Sequence, residues 1–407
     1  MELDVSNLLS VSDAIKIIDA LPVQTRSIEL PLESAAGFRL AKDLRADRDF
    51  PDFDKSLMDG YAVRSADVSD APVALEVIGE LAAGGNSIGS VGANQAVAVM
   101  TGAPLPPGAD AVVPVEQTDS PARFAAAGGQ VRILRSSAPG RCVAQRGSDC
   151  VRGAIVLPAG TKLSAAQIAV AAGIGAASVP VWDRPLCAVL ATGNEIVAVD
   201  QMPSAAQIRN SNNPMLRALL ARLGCPARDL GVVADDRELI AQAIANALRD
   251  SDVLFVTGGM SMGKYDYVPP ILKELGGELK ITKLAIRPGK PFVLGAMPEG
   301  KYVVGLPGNP VSAYVCTLRL ASRMLSRMGG GKPEDFIRHL PLADAVSSNG
   351  PREFYQPAKI ESEQVQPLEW KGSADIFTLA RADGLIIRPA SGPALAAGKT
   401  VPVIALP

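Results

Sequence analysis

The sequence predicts a multidomain chain in which a doubly wound, mostly parallel α/β domain is joined to smaller β domains. Three observations carry that expectation. From Leu186 to Met328, short apolar runs alternate with stretches of helical periodicity, the pattern of a parallel sheet covered on both faces. Between Pro72 and Asp149, and again after Pro333, strand-like runs are separated only by Gly- and Pro-rich turns. Asp252–Tyr267 joins a buried strand (Val253–Val256) to a loop with Gly258, Gly259, Ser261 and Gly263, and then to a helix over Tyr267–Leu275. Strand, glycine loop and helix is how an open α/β sheet turns backbone N–H groups toward a phosphate.

Taken in order, Ser12–Leu21 reads as a short amphipathic helix capped by Ser12, followed by extended chain and a helical turn at Leu32–Ala36. Composition shifts to Asp, Arg, Phe and Pro near Ala46–Phe53, which marks a boundary. In the next stretch Asp54, Ser56 and Asp59 crowd side-chain oxygens beside aromatics, although Asp59-Gly60 is also an ordinary turn signal. Strands follow at 73–78, 96–100, 111–115 and 131–134, making a small β domain. Gly153–Trp182 returns to a strand and an Ala-rich helix, so the first domain is discontinuous. The resulting boundaries are 1–47 with 154–182, 48–153, 183–329 and 330–407.

In the α/β domain, strands are expected at 186–191, 229–233, 253–256 and 302–306, with two more around 285–291. Asn213-Pro214 starts one helix, Asp235 with Glu238 has capping-box spacing for the next, and Pro307-Gly-Asn-Pro310 leads into a long one. Ligands in such sheets bind at the carboxyl ends of strands, so Glu195, Asp235, Ser261, Asp266 and Asn309 should share one rim. Gly329–Gly331 reads as a linker, and Pro333–Pro407 as a small β-barrel or sandwich.

Composition excludes several classes. With 40 basic against 42 acidic residues the chain lacks the basic face of a nucleic-acid binder. A small anion needs much less, since one cation at about 4 Å contributes roughly 4 kcal/mol at an effective dielectric of 20. Five cysteines without a C-x-x-C pair suit free thiols in a reducing compartment, and the single His339 argues against a histidine triad or zinc site. Any metal should be hard and oxygen-bound. The N-terminus shows no basic region with an apolar core, and the Ala/Gly run 165–181 is interrupted by polar residues, so a soluble, cytoplasmic protein is expected.

Gly258–Lys264 fits the first seven positions of a P-loop, but Tyr265 stands where a magnesium-holding Ser or Thr belongs. The loop could bind phosphate in another way or simply connect strand to helix. Asp266 beside it offers a carboxylate where Mg²⁺ could meet a phosphate. Glu195 and Asp235 offer two more hard ligands, and Lys283, Arg287 and Lys290 could neutralise an anion.

Eight motifs in order resemble the molybdopterin molybdenumtransferase family, the MoeA-type proteins and the E domain of gephyrin. They are Ser56-Leu-Met-Asp-Gly-Tyr-Ala-Val63, Thr101-Gly-Ala-Pro-Leu-Pro-x-Gly-Ala-Asp110, Arg146-Gly-Ser-Asp149, Thr192-Gly-Asn-Glu195, Gly258-Gly-Met-Ser-Met-Gly-x-x-Asp266, Arg287-Pro-Gly-Lys-Pro291, Leu306-Pro-Gly-Asn-Pro-Val-Ser312 and Leu379-Ala-x-Ala-Asp-Gly384. The chain departs from the usual pattern at Asn194, Ala144, Met260, Met262 and Gly350-Pro351, where the expected Arg comes one place later as Arg352.

The resemblance implies an elongated N-terminal domain, an inserted β domain, a molybdopterin-binding α/β domain and a C-terminal β-barrel. It implies Mg²⁺-dependent hydrolysis of adenylylated molybdopterin in the presence of molybdate, releasing AMP and molybdenum cofactor. It assigns catalytic roles to Asp59, Asp149, Asp266, Lys283 and Arg287, and metal binding to Glu195, Asp235 and Asp266. Cofactor-binding positions would be Thr101, Gly258, Gly259, Ser261, Gly263, Lys290, Pro307, Asn309, Pro310 and Arg352. The implied partners are a second copy of the chain, with Asp59 and Asp149 acting across the dimer, a molybdopterin adenylyltransferase upstream, and molybdoenzymes or their chaperones downstream. A non-catalytic scaffold of the same fold, or a nucleotide hydrolase, are the alternatives.

Overall fold

The computed structural model describes residues 8–85, 88–120, 122, 124–260, 267–333, 335 and 337–407. It falls into two compact units, one of Met1–Leu30, Gly37–Ala41 and Pro180–Pro407, the other of Pro31–Ala36 and Lys42–Val179.

The first unit is built on a six-stranded sheet. Its strands are β1 (Cys187–Thr192), β2 (Ala227–Val233), β3 (Val253–Thr257), β4 (Glu278–Ile281), β5 (Val293–Ala296) and β6 (Tyr302–Leu306), in spatial order β2-β1-β3-β6-β5-β4. The pairs β1·β2, β1·β3 and β3·β6 are parallel, whereas β5 and β4 complete the edge antiparallel. Every residue of β1, β3 and β6 is buried. Period-two geometry divides them between two cores. Val189, Val253, Phe255 and Val304 face one core with Leu216, Leu219 and Leu220 of helix α1 (Asn212–Arg222). Ala188, Leu190, Leu254, Val256 and Val303 face the other, with Ile240 and Ile244 of α2 (Arg237–Arg249) and Ile271 and Leu272 of α3 (Val268–Glu274). The sheet is therefore wound on both faces, as its unbroken apolar runs require.

The helix Val11–Ala20 is capped by Ser10, whose Oγ accepts from Asp13 N at 3.0 Å, rather than by Ser12. Pro310–Met328 continues as one helix through a π segment at Thr317–Ala321. The expected linker after it is packed chain: a Cβ on Gly330, at φ +73°, would sit 1.9 Å from Trp182. Beyond it, 353–361, 384–388, 400–405 and 337–341 pair in that order, with 364–367 folded back on 353–361. This sheet curls until Leu342 bridges Val365, which brings its two ends together in the way the barrel expectation requires.

The second unit holds a five-stranded sheet in the order 111–114, 60–63, 95–99, 73–81, 130–133. Tyr61 and Val63 face one apolar cluster and Ala62 the other, so this sheet also is covered on both sides.

Candidate functional site

The carboxyl ends of β1, β3 and β6 lie side by side, and the loops leaving them open a cleft of about 670 Å³. Glu195 and Asn309, expected at the rim, line it, as do Gly258, Gly259, Pro307 and Pro310, expected as cofactor-binding positions. Gly258 has φ +90°, and a Cβ there would lie 2.4 Å from the Thr192 carbonyl oxygen, so the loop can pass β1 this closely only without a side chain. Thr192 Oγ1 donates to the Thr257 carbonyl at 3.4 Å, joining the two strand ends below the loop. Ser261, Gly263 and Asp266 lie outside the described residues.

Asp235 reaches the same rim through Asn194. Its carboxylate accepts from Asn194 N at 3.4 Å, and its own N–H donates to Asn194 Oδ1 at 3.1 Å. The expected capping role belongs instead to Asp236, whose Oδ1 accepts from Glu238 N and Leu239 N, both at 3.0 Å. A one-residue shift of the helix start thus releases Asp235 to brace the loop carrying Glu195. Among the described residues no three His, Cys, Asp or Glu side chains come together as a metal cage. A pair of carboxylates nevertheless suits Mg²⁺, which takes one or two from protein and completes its octahedron with water and phosphate oxygens. Glu195 is exposed in the cleft and supplies one such carboxylate, which fits that ion, while Asp235 is bonded to the adjacent residue and does not itself line the cleft.

The predicted cations form a separate group, for none of Lys283, Arg287, Lys290 and Arg352 lines the cleft, although Pro291 does. Lys283 and Lys290 are half-buried, with carbonyls accepting from Leu9 N at 3.3 Å and Leu284 N at 2.9 Å respectively. Ile286 and Arg287 pair in parallel with Glu353 and Phe354, which brings the C-terminal sheet to this segment. The Arg287 guanidinium stands 4.5 Å from the Phe354 ring centroid and 5.4 Å from that of Trp370. Arg352 donates to the Ile286 carbonyl at 3.4 Å, and burial followed by the charge of Arg287 pulls its pKa below the usual guanidinium value. The displaced Arg after Gly350-Pro351 therefore still meets the Arg287 segment.

Asp59, Thr101 and Asp149 belong to the other unit. The antiparallel register that sets Gly60 opposite Val99 brings Asp59 to Thr101 just beyond the strand ends. Asp59 Oδ1 accepts from Thr101 N at 2.7 Å and from Thr101 Oγ1 at 2.8 Å. Those two bonds, the backbone one first, hold its pKa below the usual carboxylate value. Asp149 is exposed on a turn, its N–H donating to the Phe50 carbonyl at 2.9 Å and its Oδ1 accepting from Ser148 Oγ at 3.3 Å.

Several cleft residues escaped the sequence reading. Asn210, Ser211 and Asn212 form one wall, at the start of α1. The helix begins at Asn212, and Asn210 Oδ1 rather than Asn213 serves its first turn, accepting from Asn213 N at 3.1 Å. Asn213 is fully buried and donates to Asp229 Oδ1 and the Gly231 carbonyl. Asn212 Nδ2 donates to the Gly308 carbonyl at 2.7 Å, fixing the Pro-Gly-Asn-Pro turn. Asn309 Nδ2 donates to Ser373 Oγ at 2.8 Å, a contact 64 positions away that no local pattern announces. The amide-rich run 210–213 was a usable signal, because one helix cap needs only one of its three asparagines.

Comparison with known proteins covers nearly the whole chain. Residues 9–175 match the MoeA N-terminal region (domain I and II), residues 188–327 a probable molybdopterin binding domain, and residues 339–406 the MoeA C-terminal region (domain IV). A molybdopterin molybdenumtransferase from Nostoc sp. is 33% identical over 405 residues, which cover 96% of this chain and 91% of the relative. One from Staphylococcus epidermidis is 32% identical over 412 residues, covering 97% and 95%. Two crystal structures of the Pyrococcus horikoshii molybdopterin biosynthesis MoeA protein superpose with TM-scores of 0.82 and 0.85 at 31% and 26% identity, each covering 98% of this chain and 100% of the other. The chain belongs to the molybdopterin molybdenumtransferase, or MoeA, family.

Proposed function

We propose that this protein inserts molybdenum into molybdopterin presented as its adenylylated form, with Mg²⁺-dependent release of AMP. The observation that carries the reading is the cleft itself. A backbone loop free of side chains at Gly258 and Gly259, neutral amide walls, and the Glu195 carboxylate together suit a phosphate-bearing heterocycle accompanied by a hard cation. In the reaction water adds across the pyrophosphate link; one P–O bond forms, the bridging P–O bond breaks, and AMP leaves.

In this reading Glu195 and Asp235 hold the Mg²⁺, which when bound offsets negative charge on the phosphate oxygens. The loop at Gly258 orients the phosphates by its N–H groups, while Arg287, Lys290, Lys283 and Arg352 attract the molybdate dianion and lower the cost of its approach. Asp59, kept ionised by Thr101, and Asp149 supply carboxylates for proton handling at the cleft of the second copy in the homodimer. Homodimers, an adenylyltransferase donor and molybdoenzyme acceptors complete the proposal.

The test is incubation with adenylylated molybdopterin, molybdate and Mg²⁺, followed by measurement of AMP and of cofactor able to activate an apo-molybdoenzyme. AMP release coupled to active cofactor supports the reading. Tight pterin binding without either product would sink it.

A further inference from the structure

The guanidiniums of Arg287 and Arg388 lie over the Phe354 ring, Arg352 stands two positions before that residue, and among the described residues no carboxylate forms an ion pair with any of the three. Arg287 lies 4.5 Å from the ring centroid and Arg388 lies 5.8 Å from it. Arg352 is near enough for the Arg287 charge to act on it, as it acts on Arg388. Arg388 is only 7% exposed. Its polar contacts are neutral: Nη1 donates to Gln356 Oε1 at 3.0 Å, and Nη2 donates to the Ser347 carbonyl. Arg352 likewise donates to a carbonyl, that of Ile286. Trp370 adds an indole N–H that is buried and unpartnered among the described residues.

A buried cation without a counter-charge is costly, and repulsion from Arg287 adds to it. Such a group is stabilised when an anion occupies the space its neighbours face. Arg287 is exposed and Arg352 half-exposed, so both are open to an anion from solvent, whereas the buried Arg388 lies 5.8 Å from the centroid of the same Phe354 ring.

We propose that Arg388 is a positioning residue for an anion held by Arg287 and Arg352, supplying buried charge that favours a doubly charged oxyanion over a singly charged one. This rests on the reading of Arg287 and Arg352 as anion-binding residues and deepens it. A charge that acts through space contributes twice as much free energy toward a dianion as toward a monoanion of the same shape. A structural role, in which Arg388 merely ties 384–388 to Ser347 and Gln356, has no such dependence on ligand charge.

The experiment is calorimetric titration of the full chain with molybdate and with perrhenate, tetrahedral oxyanions of charge −2 and −1. Arg388→Gln should weaken molybdate about tenfold and perrhenate about threefold, the square root expected for half the charge. Arg388→Lys, which keeps the charge and loses the fork, should recover most of the molybdate affinity. Should Arg388→Gln fail to fold, Gln356→Glu sets a carboxylate against Arg388 and should produce the same unequal losses. Equal losses for both anions, or no loss in folded variants, overturn the proposal while leaving the anion site standing. Failure of the unmodified protein to bind either anion overturns the anion site and the role of Arg388 with it.

Discussion

Asn194 and Asp235 hold each other by reciprocal bonds, each accepting with its side chain from the other's backbone N–H, at 3.1 and 3.4 Å. The pair links the loops leaving two adjacent parallel strands and so fixes where Glu195, the next residue, enters the cleft.

That relationship predicts an effect on turnover larger than on stability. Asn194→Ala removes one neutral, exposed hydrogen bond, worth about 1 kcal/mol. It also frees the Glu195 loop, and misplacing a ligand by about 1 Å can cost on the order of 100-fold in rate. We expect cofactor formation to fall at least tenfold while the urea midpoint moves little. Asn194→Asp keeps an oxygen to accept from Asp235 N–H and should stay within about threefold of the original rate. Unaltered turnover in Asn194→Ala would show that the pair does not position Glu195.

Asp59 offers a prediction on pH. Its folded-state pKa is depressed by the two bonds from Thr101, so its contribution to stability is complete above the unfolded value, near 3.8, and is lost as pH falls through the lower folded value. Thr101→Val removes the hydroxyl and leaves the backbone N–H, so the Asp59 pKa should rise part of the way back. Carboxyl-carbon NMR titration reads it directly. An Asp59 pKa that does not move on loss of the Thr101 hydroxyl would show that this hydroxyl does not hold the carboxylate in solution.

The parts of the fold governed by local periodicity were legible in the sequence. Tyr302–Leu306 was expected as a strand and forms one over those residues, and the glycine loop lies at a carboxyl edge because parallel βα units leave it nowhere else. Helix starts were displaced by one or two residues, as at Ser10 and Asp236, because several adjacent oxygens could cap and only backbone geometry selects one. Contacts across long separations were not legible. Ser373 meets Asn309, and Arg388 shares a ring with Arg287, through packing of the C-terminal sheet that no motif near either residue encodes.

Gly258→Ala should damage the cleft without unfolding the domain. An L-residue at φ +90° is strained by about 1–3 kcal/mol, and the new Cβ would overlap the Thr192 carbonyl at 2.4 Å. The loop must then move away from β1, carrying its N–H groups off any bound phosphate. Pterin-nucleotide affinity is expected to fall at least tenfold, with far-UV circular dichroism unaltered. Retention of normal affinity would remove the loop from phosphate binding.

Arg323 supplies the last prediction, one about stability alone. It lies in the long helix with its side chain 8% exposed. Its Nε and Nη2 donate to the two oxygens of Asp19 at 2.9 and 2.5 Å, and its Nη1 donates to Asp335 at 2.5 Å. The fork ties the helix Val11–Ala20 to Ser322–Met328, whose apolar faces share one core. Removing one partner of a buried pair costs about 3–5 kcal/mol when the other is left unbalanced, but here Asp335 remains, so Asp19→Ala should cost about 2 kcal/mol. Arg323→Met should cost less, because Asp19 and Asp335 are 29% and 35% exposed and can regain water, while the thioether fills the apolar space. Urea unfolding followed by tryptophan fluorescence measures both, provided each transition keeps the same slope. If Arg323→Met proves the more damaging of the two, the side chain stabilises the fold mainly by its hydrogen-bond geometry, and charge balance is not what decides the cost of losing it.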